Sequence, residues 1–237
     1  MRQATWILGV VVLVAGIGQA DILVDLGWRV PSVSPETDGR VWNNVPRKYE
    51  GVGWGPARTA FVGGVWQPVG ELVDTMGALS GVFVETTDIS SDGGNNAAAK
   101  PPYPANVTVD WWNGQGSNDA NPAGIKLHGV PAGTYTLNVG AWYPTDPWVE
   151  GIGEFECQGQ SFTYSSFEQT PAPTEVFSFT GIVPDGNGDI ILWIKSVFPG
   201  QTGLSTYNGV SFLELIPEPA TLSLLATSAL LAIRRRR

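Results

Sequence analysis

Between Asp21 and Ile216 period-2 alternation of apolar residues dominates, and no long stretch holds the 3.6-residue spacing of an amphipathic helix. That period commits the chain to strands, whose successive side chains point to opposite faces. In SGVFVETT (Ser80 to Thr87), Val82, Val84 and Thr86 share one face, while Phe83, Glu85 and Thr87 share the other. The same pattern marks DILVDL (Asp21 to Leu26), NVTVDWW (Asn106 to Trp112), AGIKLHGV (Ala123 to Val130) and GTYTLNVGAWY (Gly133 to Tyr143). It continues through GEFECQGQSFTYS (Gly153 to Ser165), TEVFSFTGI (Thr174 to Ile182), GDIILWIKSV (Gly188 to Val197) and YNGVSFLELI (Tyr207 to Ile216). About nine strands so spaced, with turns such as VPAGT, CQGQS and PDGNGD, predict an all-β antiparallel sandwich or barrel. Only GELVDTMG (Gly70 to Gly77) reads as a helical turn. SSDGGNNAAAKPPYP (Ser90 to Pro104) and NGQGSNDANP (Asn113 to Pro122) read as long polar loops inside one domain.

The two ends break this pattern. MRQATWILGVVVLVAGIGQA carries Arg2, an apolar run from Trp6 to Ile17, and small residues Gly18 and Ala20 before Asp21. That is the layout of a secretory signal peptide, with cleavage after Ala20. At the other end Pro217, Glu218 and Pro219 precede a fourteen-residue apolar run, Ala220 to Ile233, and the cluster Arg234, Arg235, Arg236 and Arg237. As a helix the run reaches about 21 Å, short of the roughly 30 Å hydrocarbon core of a bilayer. The arginines resist translocation and hold their end on the cytoplasmic side. Such a segment pauses in a membrane but spans it poorly; a tail anchor that stays in place is the alternative to removal.

A signal peptide paired with Pro217-Glu218-Pro219, the run Ala220 to Ile233 and Arg234 to Arg237 resembles the PEP-CTERM class of exported bacterial proteins. The resemblance implies a sorting signal recognised by a membrane protease of the exosortase type. It also implies a Gram-negative host that makes extracellular polysaccharide, and a destination at the cell surface or in the extracellular matrix. The chain then divides into a signal peptide (1–20), a folded domain (21–215) and a sorting signal with a short apolar helix (216–237), held only transiently in the membrane.

Charge narrows the partners. The chain has 13 Lys+Arg and 22 Asp+Glu; five of the bases (Arg2 and Arg234 to Arg237) and one acid (Glu218) lie in the ends. The remainder holds 8 bases against 21 acids, a net charge near −13. An acidic domain lacks the basic face that nucleic acids require, and anionic headgroups repel it. The balance suits a secreted domain that meets divalent cations. Cys157 is the only cysteine, so no intrachain disulfide forms. With neither His nor Lys beside it, Cys157 reads as a small buried hydrophobe.

Six further segments resemble the galactose-binding-like, jelly-roll domains common among PEP-CTERM proteins. They are ILVDLG near the start, VWNNV (Val41 to Val45), ELVDTMGALSGVFV (Glu71 to Val84), GVPAGTYTLNVGAWY, PDGNGDIILWI and YNGVSFLEL. The resemblance implies a jelly-roll β-sandwich and a role in carbohydrate binding, in accessory domains of glycoside-active enzymes, or in a surface matrix. The fold by itself selects none of these. It leaves room for a structural calcium and implies no other cofactor.

Few residues can carry catalysis. His128 is the only histidine and sits inside an alternating strand, with no nucleophile elbow or zinc spacing elsewhere. A glycosidase needs only two acids roughly 5–10 Å apart; Asp110, Glu150, Glu154 and Glu156 lie nearest aromatic residues, and otherwise read as solvated acids. Sugar binding is better supplied. The apolar face of a pyranose stacks on an aromatic ring while amides and carboxylates bind its hydroxyls. DWWNGQGSND offers Trp111, Trp112 and Asn113, and AWYPTDPW offers Trp142, Tyr143 and Trp148. These six form the candidate glycan platform; the competing reading places the rings in the core. In DGNGDI, Asp185, Asn187 and Asp189 alternate as at the start of an EF-hand loop, but Ile190 and Ser196 stand where glycine and glutamate belong. A turn between two strands is the better reading. The expectation is a non-enzymatic, exported sandwich associated with extracellular polysaccharide. The alternatives are a structural or adhesive surface protein without glycan binding, and a carbohydrate-active enzyme.

Overall fold

The alternating segments pair into two sheets whose apolar faces stack against each other. The computed structural model describes residues 20–26, 32–35, 39–44, 67–87, 91–94, 103, 110–113, 122–142, 152–165, 175–196 and 209–218. Sheet A runs in the order β12 (Glu175–Ile182), β9 (Tyr135–Trp142), β14 (Gly209–Pro217), β1 (Ile22–Asp25), β3 (Val41–Asn44) and β2 (Ser32–Pro35). A two-strand branch, β7 (Asp110–Asn113) with β6 (Ser91–Gly94), pairs with the start of β14. Sheet B runs β11 (Gln160–Ser165), β10 (Ile152–Cys157), β13 (Ile190–Ser196), β8 (Ala123–His128), β5 (Leu79–Thr87) and β4 (Gln67–Val73). The fold is an all-β jelly-roll sandwich. Among the described strands every pairing is antiparallel except β1 with β3, which run parallel.

Several local expectations change. GELVDTMG holds no helical turn: its first four residues belong to β4, and Asp74 to Ala78 form the reversal into β5. The polar stretch from Ser90 contains β6, a strand without apolar alternation that exists because β7 offers it an edge. Short β2 and β3 were equally silent in the pattern. GEFECQGQSFTYS divides into β10 and β11 at a two-residue reversal, where Gln158 (φ 49°) and Gly159 (φ 76°) both adopt positive φ. Two such residues match the right-handed twist of a tight hairpin.

The main core interleaves the inner faces. Val24, Leu137, Val139, Phe179, Leu213 and Leu215 of sheet A meet Val82, Val84, Ile125, Leu127, Phe155 and Ile194 of sheet B, all buried. Each such side chain contributes about 1.5–3 kcal/mol on leaving water. Phe162 caps this core edge-on to Phe179 at 4.9 Å and tilted against Phe177 at 5.4 Å. The strand β14 departs from alternation: every residue from Gly209 to Leu215 is buried, because a second, smaller cluster covers its other side.

Amide side chains close the gap between sheets. Asn43 on β3 donates through Nδ2 to the carbonyls of Leu23 (2.9 Å) and Val73 (2.8 Å), and the Val73 N–H donates to its Oδ1 at 2.8 Å. The side chain thus imitates a strand partner for the last residue of β4. Gln158 does the same for Val183 beyond β12, accepting from its N–H and donating to its carbonyl.

The chain ends leave from one end of the sandwich, since Ile22 pairs with Leu215. The sheet does not stop at residue 215. Ile216 and Pro217 continue β14 opposite Thr136 and Tyr135. The Glu218 N–H donates to the Thr134 carbonyl (2.8 Å), and its Oε1 accepts from the Gly181 N–H (2.8 Å) and the Thr136 hydroxyl (3.1 Å). Gly181 can aim its N–H there because a bulge in β12 holds it at φ 68°. Residues 216–218 therefore belong to the described fold. Pro219, the apolar run and Arg234 to Arg237 lie outside the described residues, as do residues 1–19. Among the described residues no helix is long and apolar enough to cross a membrane.

Two outcomes follow from these contacts. Asn43→Ala leaves the Val73 N–H and two carbonyls short of partners and lowers unfolding free energy by about 2–4 kcal/mol, read from urea denaturation. Glu218→Ala releases the Gly181 amide, whose hydrogen exchange accelerates about tenfold while Val139 in the core stays protected.

Candidate functional site

The outer face of sheet A holds a buried polar network around Glu214. Alternation on β9 turns Asn138 and Gly140 outward, and β14 presents Phe212 and Glu214 beside them. Gly140 is required there, since a Cβ would stand 2.3 Å from Cε1 of Phe212. The Phe212 ring lies over the sheet, tilted against Tyr103 at 4.2 Å and edge-on to Trp42 at 5.8 Å. Leu23 completes this cluster.

Glu214 sits at its border with 5% of its surface exposed. Its Oε1 accepts from Arg40 Nη1 at 2.5 Å; its Oε2 accepts from the Tyr103 hydroxyl (2.8 Å) and Asn138 Nδ2 (2.9 Å). Ser178 on β12 donates to the Asn138 Oδ1 at 2.7 Å and carries the network to the surface. The Arg40 guanidinium lies 5.3 Å from the Trp42 ring centre and 5.9 Å from that of Tyr103, within cation–π range of both. Burial, then the Asp21 neighbour Glu214, raises the Asp21 carboxyl above its ordinary range, against the opposing pull of Arg40. Burial and the bond to Glu214 raise the Tyr103 phenol in the same way.

The three rings are buried, so they pack rather than present a stacking surface. What reaches solvent is a polar row of Arg40, Asn138 and Ser178. Sequence reasoning missed this network. Its signal was Glu214 itself, one acid inside the apolar run VSFLELI, which a buried strand tolerates only with a partner.

The candidate platform residues gather at one end of this face. Asn113 at the end of β7 and Trp142 at the end of β9 both stand opposite Gly209, on its two sides, and Trp112 stands opposite Val210. Backbone alternation puts positions 111, 113 and 142 on the outer face, with 142 in line with Asn138 and Gly140. Position 112 falls on the face of Val210, whose side chain belongs to the main core. Two inter-strand spacings, about 10 Å, separate positions 113 and 142. Tyr143, Trp148 and Glu150 lie outside the described residues.

The other candidates resolve into structure. Asp185 Oδ1 accepts from the N–H groups of Asn187 (2.8 Å) and Asp189 (3.0 Å), and Gly188 at φ 80° closes the reversal onto the Asp185 carbonyl. Asp74 makes the same bonds to Met76, Gly77 and Ala78, with Gly77 at φ 82°. DTMGA has none of the alternating acids of DGNGD, so the shared geometry needs only Asp first and Gly fourth. Those two backbone donors hold the Asp185 carboxyl below its ordinary range. The Asp189 carboxylate points away, to His128 Nδ1 at 2.6 Å and to Lys126 at 3.8 Å. Among the described residues no three His, Cys, Asp or Glu converge as a metal site. Glu156 pairs with Lys195, and Glu154 lies 3.9 Å from the same ammonium. Asp110 opens β7. Cys157 is fully buried, and burial followed by the charge of Glu156 pushes its thiol up to about 12.

No protein-family model matches the sequence, and no curated protein matches it. Among solved structures it is similar to a calcium-binding mutant of Bacteroides uniformis beta-glucuronidase 2, with TM-score 0.43 and 10% identity over 84% of this chain. This chain spans 18% of that structure's length. It is also similar to the CBM36-1 domain of a multidomain xylanase from the hindgut metagenome of Trinervitermes trinervoides (TM-score 0.31, 11% identity, 58% of this chain, 98% of that one). A family 35 carbohydrate binding module from Clostridium thermocellum gives TM-score 0.30 and 8% identity, over 58% of this chain and 92% of that one. The jelly-roll assignment rests on the strand order and register above.

The raised thiol and phenol set an alkaline limit. Below about pH 8 both groups are almost wholly neutral, folded and unfolded; as pH rises through the ordinary thiol range the unfolded chain ionises first, so stability falls toward pH 12. The Cys157 share is about 2 kcal/mol at pH 10.5. Thermal melts at pH 8 and pH 10.5 show a smaller drop for Cys157→Ala than for the parent chain.

Proposed function

We propose that this domain binds polysaccharide without catalysis, across the end of sheet A where β7, β14 and β9 meet. One observation carries the reading: the register sets Trp111, Asn113 and Trp142 on one face, on either side of Gly209, which has no side chain to fill the space between them. Tryptophan and asparagine at these register positions are the residue types that suit the apolar face and hydroxyls of a sugar chain. The polar row of Arg40, Asn138 and Ser178 continues the same face. Of the four acids weighed for hydrolysis, Glu154 and Glu156 share one lysine on the far sheet, which supports the non-catalytic reading.

The protein works outside the cytoplasmic membrane. Its leader, with cleavage after Ala20, directs export, and the segment 216–237 directs sorting by an exosortase-type protease to the surface or matrix of a Gram-negative cell. A structural calcium stays compatible with this reading, and an unchanged thermal melt in EDTA removes it.

Affinity electrophoresis of the full chain through gels containing soluble polysaccharide tests the site. Retardation is expected, with affinity about tenfold weaker for Trp111→Ala and Trp142→Ala. Equal retardation of parent and both variants removes the platform from this end of the sheet.

A further inference from the structure

We propose that the end of the sandwich carrying Met76, Leu79 and Val183 seats against a lipid bilayer of zwitterionic headgroups; the inference rests on the reading of 216–237 as a segment held in the membrane. Four turns build this end. Asp74 to Ala78 lead into β5, Gly129 to Thr134 join β8 to β9, Gln158 and Gly159 join β10 to β11, and Val183 to Asp189 join β12 to β13. Hydrogen bonds fix them in place. The Thr75 N–H donates to the Asp21 carbonyl (3.0 Å), the Val130 N–H to the Gly188 carbonyl (2.9 Å), and the Val183 N–H to Gln158 Oε1 (3.1 Å). Among the described residues four large apolar side chains are exposed, Met76, Leu79, Phe83 and Val183, and three stand here: Met76 at 77%, Leu79 at 74% and Val183 at 51%. One exposed apolar side chain is ordinary on a surface, whereas several gathered on one end mark a contact. A mostly apolar cavity of about 230 Å³ opens at the same place, with Met76, Leu79, Ile22, Val82 and Leu215 in its wall.

Chain geometry names the occupant. Glu218 is tied to the Thr134 carbonyl and the Gly181 N–H, and Pro219 alone separates it from the apolar run Ala220 to Ile233. Two residues of chain reach about 7 Å at most. Wherever that run enters a bilayer, the end of β14 therefore arrives at its surface. The Met76 reversal stands across the sheet-to-sheet spacing of about 10 Å, well within a broad flat surface. It is firm as well as exposed, since Asp74 Oδ1 accepts from the Met76 and Ala78 N–H groups. Charge then selects the lipid. The four turns and Glu218 carry Asp74, Asp185, Asp189 and Glu218, with no Lys or Arg. The cations behind them, Lys126 and the His128 ring, face Asp189. Anionic headgroups repel such an end, and zwitterionic ones, each bearing an ammonium, do not. Trp142 stands at the opposite end of β9, about 23 Å from Tyr135. The platform proposed for polysaccharide thus points away from the membrane.

The full chain, reconstituted into phosphatidylcholine vesicles, tests this with one environment-sensitive fluorophore on Leu79→Cys, Val183→Cys, Thr163→Cys or Leu225→Cys. The native Cys157 is fully buried with its thiol pushed up to about 12, so it stays unlabelled. Nitroxide-bearing lipid is expected to quench positions 79, 183 and 225 at least threefold more than position 163, which is exposed further along β11. Replacing half of the lipid with phosphatidylglycerol is expected to halve quenching at 79 and 183. Met76→Glu with Leu79→Glu lowers quenching at 183 about threefold while 225 stays quenched, and circular dichroism checks that this variant folds. Quenching at 79 and 183 no greater than at 163, with 225 quenched, overturns the inference. Quenching undiminished in anionic vesicles overturns it too. So does a blue-shifted reporter at 79 that nitroxide lipid leaves unquenched, because protein then covers this end. An unquenched reporter at 225 overturns the membrane-held reading of the tail itself, and that reporter alone identifies the case.

Discussion

The carboxylate of Glu214 lies in the middle of a strand whose neighbours are buried on both sides, and much of sheet A is arranged around it. A charge with 5% exposure is tolerable only with partners that replace its water. Arg40, Tyr103 and Asn138 supply them from three places in the chain, the residues before β3, the single described residue 103 and the centre of β9. Removing one partner strands a buried charge, whereas the intact set is satisfied. The network therefore specifies how β3, β9 and β14 align more than it adds to stability. The aromatic cluster beside it excludes water and strengthens each of these bonds.

The sandwich edges follow a second economy. Jelly-roll sheets present unpaired backbone groups where one sheet ends and the other begins, and buried groups of that kind must be satisfied. Asn43 and Gln158 do this with side-chain amides, which carry the same donor and acceptor as a peptide. Glu218 extends the idea to the chain end, tying the last strand to Gly181 and Thr136. Pro217 and Glu218 are thereby both engaged by the described fold.

Function on such a scaffold depends on what its faces and ends expose. Sheet A buries its rings beneath a polar row and gathers tryptophan positions at one end; the other end of the sandwich exposes Met76, Leu79 and Val183. The residues proposed for the platform, Trp111, Asn113 and Trp142, were legible as candidate chemistry, because two adjacent tryptophans precede a polar loop. Their convergence was not, since it depends on β14 arriving between two segments about 30 residues apart in the chain.

The sequence by itself determined the class of fold, most of the long strands and the turn at DGNGD. Those follow from local physics: side-chain alternation, the φ tolerance of glycine and the reach of an aspartate to its own backbone. The tertiary structure alone decided the short strands β2, β3 and β6, the parallel contact of β1 with β3, the strand identity of Gln67–Val73 and the inclusion of Glu218 in the described fold. These depend on edges, bulges and partners contributed from far along the chain, and no local pattern encodes a partner that has yet to arrive.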